Sequence, residues 1–147
     1  MGHYAGKETI RDEVHTLKEH AHSIQKLYPY DASPITLTCG NAAPWTQGTI
    51  VQIVPVDTIN SDFDIHWLHI ASISANANYE VILYSGLAAA EVEIGRCPAV
   101  RNAVQSQEGS TAMMTPLQPA GTRISASVAS SSGNADTLNV KIHYHTY

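Results

Sequence analysis

Two periodicities divide this chain. Between Thr9 and Tyr28 the apolar positions Ile10, Val14, Leu17, Ala21, Ile24 and Tyr28 recur at spacings of 4, 3, 4, 3 and 4. That is the heptad stripe of an amphipathic helix, widened at its end by Leu27. Thr9 caps the start, with Asp12 three residues on in a weak capping box. Glu8, Asp12 and Glu13 lead the helix, where the macrodipole favours acids. Pro29 ends it, because the residue before a proline is pushed out of helical backbone. The stripe has two possible destinations. It can pack on its own domain, or it can join copies of itself in a short bundle. Such a short stripe does not hold a coiled coil alone, so a bundle requires the globular part to trimerise or dimerise as well.

Beyond the turn-rich hinge of Tyr30, Asp31, Ala32, Ser33 and Pro34 the period falls to two. It predicts strands over 35–39, 49–54, 63–73, 79–84, 91–94, 123–129 and 137–144. In the third, Phe63, Ile65, Trp67, Ala71 and Ile73 are expected to share one face. In the last, Leu138, Val140, Ile142 and Tyr144 point one way and Asn139, Lys141, His143 and His145 the other. Turn signals separate the runs, among them Gly40-Asn41, Asn60-Ser61-Asp62, Ser85-Gly86 and Gly133-Asn134. Residues 100–119 carry no clear period and read as a long loop, which in a compact domain usually has a job or a partner. The expected fold is mainly β, an antiparallel β-sandwich or jelly roll (31–147) behind an N-terminal amphipathic α-helix (1–30).

Composition narrows the function. Of 147 residues, 14% are charged and 44% apolar, against about 25% charged in an average globular protein. Eight of the 21 charges lie within residues 1–28, four of each sign; beyond them Arg96, Arg101, Arg123 and Lys141 face nine acids. Phosphate binding needs clustered cations, so no nucleic acid is expected. No run approaches the roughly 20 apolar residues of a membrane span, and no apolar signal core follows Met1; no membrane partner is expected. Cys39 and Cys97, far apart, read as small buried side chains.

Candidate chemistry is sparse. His143 and His145 share a strand face and can chelate a metal, but spacing offers no third ligand, so no metal and no cofactor are expected. His66 and His69, three apart, are expected on opposite faces of their strand. Ser130-Ser131-Ser132-Gly133 fits a turn, and there is no G-x-S-x-G elbow. Cys97, placed in a turn after Arg96, is a weak candidate for a lowered thiol pKa. Asp62 with Asp64, and Glu91 with Glu93, are carboxylate pairs of a kind common on exposed strands. Trp67 is expected in the core, and Trp45, in a loop, at a contact surface. No enzyme is expected.

One passage carries a resemblance: Gln118-Pro119-Ala120-Gly121-Thr122-Arg123-Ile124-Ser125-Ala126, then the polar turn at 130–135, then the alternating strand ending at Tyr147. With the earlier strand Asp64–Ile70 it is similar to the small β-sandwich proteins that decorate tailed-bacteriophage heads (cement or head-fibre base proteins). It includes no site motif, so no functional residue carries over. The resemblance implies a structural virion protein, assembled in the bacterial host cytoplasm, that stabilises the capsid shell by binding the major capsid protein. It also implies a homo-oligomer, here with a trimer favoured over a dimer. The expected contacts to self or partner are Ile10, Val14, Leu17, Ala21, Ile24, Tyr28 and Trp45. Two other functions compete: a receptor- or carbohydrate-binding tail-fibre sandwich, and a small cupin-like metalloenzyme using His143 and His145.

Overall fold

The structure is a computed structural model that describes residues 24–31 and 33–147. Among the described residues nine strands form two antiparallel sheets: β1 Lys26–Tyr28, β2 Ile35–Thr38, β3 Val51–Val54, β4 Phe63–Ile73, β5 Ala77–Ser85, β6 Val92–Arg101, β7 Gly109–Ala112, β8 Ile124–Ser130 and β9 Thr137–Thr146. The first sheet runs β1-β9-β4-β7, with β2 also on β9; the second runs β3-β8-β5-β6. β2 pairs with β9, β3 with β8, β4 with β7 and β5 with β6. The chain is thus wound like one long hairpin folded between two layers. No helix among the described residues is long and apolar enough to cross a membrane.

β9 keeps the expected alternation. Leu138, Val140, Ile142 and Tyr144 are in the core, where the Tyr144 ring meets Phe63 edge-on at 6.0 Å. β1 and β2 follow one another along the same edge of β9, opposite Tyr144–Ile142 and then Val140–Thr137. Lys141 lies at the break between them, almost buried, and its ammonium donates to the carbonyls of Pro29 and Asp31. Those bonds offset the cost of taking a cation out of water.

β4 departs from the expected pattern. Its buried residues are Phe63, Ile65, Leu68, Ile70 and Ile73, at spacings of 2, 3, 2 and 3. Strict alternation would expose Leu68 and Ile70 and bury His69. Two irregularities in the pairing with β9, between Ile65 and Trp67 and between Ile70 and Ser72, reset the phase instead. A bulge costs a ladder bond but keeps the apolar set inside. Trp67 and Ala71 therefore leave the core face on which the sequence placed them.

Three further expectations change. Residues 26–28 are strand rather than the end of a helix, because the edge of β9 offers them a ladder and Tyr28 packs on the core; tertiary pairing overrides helical periodicity. Positions 9–23 of the expected helix lie outside the described residues. The presumed loop 100–119 contains β7 and continues along β4: Met113 donates to the His66 carbonyl, Thr115 to that of Ile65 and Gln118 to that of Phe63. Lastly, residues 95–98 lie within β6 and not in a turn.

Between β2 and β3 the chain runs beside β8, where Trp45 donates to the Ser130 carbonyl and Gly48 to that of Val128. A Cβ on Gly48 would stand 1.7 Å from the Thr38 carbonyl oxygen. Only glycine fits this approach.

Candidate functional site

The outer face of the first sheet gathers most of the chemistry. Asp64, His66, Trp67 and His69 reach it from β4, His143 and His145 from β9, and Ser110 from β7. The bulge between Ile65 and Trp67 sets two consecutive residues outward, so His66 and His69 share this face rather than opposing faces. His145 stands beside His66, with ring centroids 4.2 Å apart, and Trp67 borders both. Further along the same two strands His143 meets His69 at 5.9 Å, and His69 Nδ1 is 3.3 Å from Ser110 Oγ. The two histidines that the sequence pairs are thus divided between two clusters. Burial, and then the neighbouring His69, holds the His143 imidazole below its usual range.

Asp64 joins the first cluster. One of its oxygens is 2.9 Å from His66 Nε2, and the other accepts a hydrogen bond from the Tyr147 hydroxyl at 2.9 Å. Their side chains are only 15% and 12% exposed for Asp64 and His66. Burial first, and then Asp64, pushes the Tyr147 phenol up to about 12, so it remains a donor at neutral pH.

The other candidates are engaged structurally. Glu91 binds Arg123 at 3.1 Å and Glu93 binds Arg96 at 2.6 Å, so each carboxylate serves its own arginine. Asp62 accepts the backbone amide of Ala120. Ser132 donates to Asp136 and holds the turn before β9. Cys97 is fully buried on β6, and desolvation pushes its thiol pKa up, contrary to the expected influence of Arg96; Cys39 is also buried and shifted the same way.

Of the expected contact residues, Ile10, Val14, Leu17 and Ala21 lie outside the described residues. Ile24 is exposed, and Tyr28 packs against the core from β1. Trp45 is 52% exposed, in left-handed backbone with φ 64°. Sequence reasoning missed several larger apolar exposures, foremost Val104 at 97% and Met114 at 80%, ahead of Tyr30, Leu87, Val92 and Leu117. Met114 lies between the inward-facing Met113 and Thr115, at the level of His66 on the outer edge of the sheet. Both residues sit in the stretch that lacked a period, so the signal available was their presence in an unpatterned segment.

No protein-family model matches the chain, and none of the curated proteins is significantly similar to it.

Proposed function

We propose that the chain is a non-enzymatic structural protein of a tailed-phage virion, a decoration or cement protein that binds the major capsid protein and stabilises the shell. It acts as a homo-oligomer, a trimer in preference to a dimer, assembled in the host cytoplasm. Its sandwich is a jelly roll, the winding used by many viral capsid and lectin domains. Fold alone does not carry function.

The observation that carries the reading is where apolar surface lies. The interior is filled by its own inner faces, with Phe63, Ile65, Leu83 and Val140 fully buried. Val104, Met114 and Trp45 nevertheless stand in water on loops and a sheet edge. Scattered single exposures are ordinary, but these three are on connections and an edge of a chain with few charges. A charge-poor surface of that kind costs less to desolvate in a permanent contact. Trp45, held to β8 through its backbone amide, favours a second reading, a tail-fibre sandwich that binds a receptor or carbohydrate. A cupin-like enzyme would need a metal cavity between the sheets, whereas His66, His69, His143 and His145 face outward from a packed core.

Mass spectrometry of purified particles of the phage that encodes the chain tests the proposal. It should appear at a fixed, high copy number per head. Its absence from particles, or a few copies confined to tails, would overturn the shell-binding reading.

A further inference from the structure

β4 and β9 bring one carboxylate and two imidazoles to a single point on the outer face of the first sheet. A donor atom from each of Asp64, His66 and His145 lies within 4.8 Å of the other two. Asp64 Oδ1, His66 Nε2 and His145 Nδ1 are each shielded from solvent, and the first two are 2.9 Å apart. Donors on a tetrahedral ion with bonds of about 2.0–2.1 Å stand roughly 3.4 Å from one another. Small side-chain rotations therefore separate this cluster from a coordination shell.

We propose that Asp64, His66 and His145 bind one divalent transition-metal ion of the zinc class, which pins β4 to β9 near their paired ends. The donor set selects the class: two imidazoles and one carboxylate suit zinc, cobalt or nickel, whereas calcium and magnesium call for oxygen donors. A second feature points the same way. The Tyr147 hydroxyl holds the far oxygen of Asp64, the kind of outer bond that orients a ligating carboxylate. Three protein donors leave a further position for water. The expectation of no metal rested on the lack of a third ligand beside His143 and His145. The third and second ligands come instead from β4, brought within reach by the bulge after Ile65. This inference does not depend on the virion reading.

The neighbouring pair His69 and His143 is a built-in control, since among the described residues it belongs to no group of three such donors. The test titrates the full chain, stripped with chelator, with zinc by calorimetry and with cobalt by visible absorption. One tight zinc per chain and the strong d–d bands of tetrahedral cobalt are expected. His66→Gln and His145→Gln should each abolish the tight site, while the double variant His69→Gln/His143→Gln should leave it unchanged. Tyr147→Phe should weaken it about 10–100-fold. Should either glutamine variant fail to fold, Asp64→Asn, which keeps the shape and removes the charge, should lose the site. Absence of tight binding in the unmodified chain overturns the proposal. So does tight binding that survives loss of His66 or His145, or of the Asp64 charge.

Discussion

The ring of His145 lies 4.2 Å from that of His66, although alternation along β4 and β9 considered separately gives no hint that they meet. Their contact depends on one irregularity. The register passes from Ile65 opposite Tyr144 to Trp67 opposite His143, so His66 is the extra residue and swings outward beside His145. Removing that residue should restore a regular ladder, with Ile65 opposite Tyr144 and Trp67 opposite His143, and leave Leu68 and Ile70 buried. A His66 deletion should accordingly keep a cooperative melt and native near-ultraviolet circular dichroism, as should His66→Gln; a molten deletion variant would show that Leu68 and Ile70 do not keep their places without the bulge.

Gly48 sets the approach of the segment before β3 to β2. An added Cβ would meet the Thr38 carbonyl oxygen at 1.7 Å, far inside contact distance. Gly48→Ala should lower stability by about 1–3 kcal/mol, the usual range for overpacking, measured by urea denaturation. A neutral substitution would mean that this strap is not held as described.

Both thiols should be inert in the native state. Cys97 and Cys39 are buried, and desolvation raises both pKa values, which keeps the unreactive thiol form at neutral pH. Ellman's reagent should label neither before unfolding and both afterwards. Rapid native labelling of Cys97 would restore the thiol activated by Arg96.

Exposed and buried apolar residues should separate cleanly. Phe63→Ala should cost about 3–5 kcal/mol, because it opens a cavity against Tyr144. Val104→Ser and Met114→Ser should each change stability by no more than about 0.5 kcal/mol, yet weaken self-association or shell binding. Equal stability losses from both kinds of substitution would assign Val104 and Met114 to the fold rather than to a contact.

Much of the sandwich is legible in the sequence because side-chain alternation marks every strand that buries one face. β9 reads directly, as Leu138, Val140, Ile142 and Tyr144 alternate with polar residues. β4 was misread: with Trp67 and Ala71 counted, its apolar residues also fit period two, and only the pairing with β9 reveals the two bulges that bury Leu68 and Ile70 instead. β7, Gly-Ser-Thr-Ala, has no apolar pattern, and backbone bonding to β4 alone makes it a strand. β1 was hidden because Ile24 and Tyr28 continue a helical spacing, while the unpaired edge of β9 that recruits Lys26–Tyr28 lies over a hundred residues away. The histidine cluster was hidden for the same reason. It exists only through the β4–β9 pairing, and no spacing within either strand encodes that register.

The position of β1 also fixes where the chain can be cut. Removing residues 1–23 leaves β1 and the Tyr28 contact in place, so the shortened chain should still melt cooperatively. Removing 1–28 takes away the ladder on Ile142–Tyr144 and should lower the transition markedly. Identical melting of the two truncations would show that β1 does not hold the sandwich.

Co-sedimentation of the full chain with emptied heads of the phage to which the proposed function assigns it tests that proposal most directly. The account predicts saturable binding at a fixed number of copies per shell, weakened by the Val104→Ser/Met114→Ser pair in a chain that remains folded. A chain that stays in the supernatant at every concentration, while the heads themselves sediment intact, would contradict it.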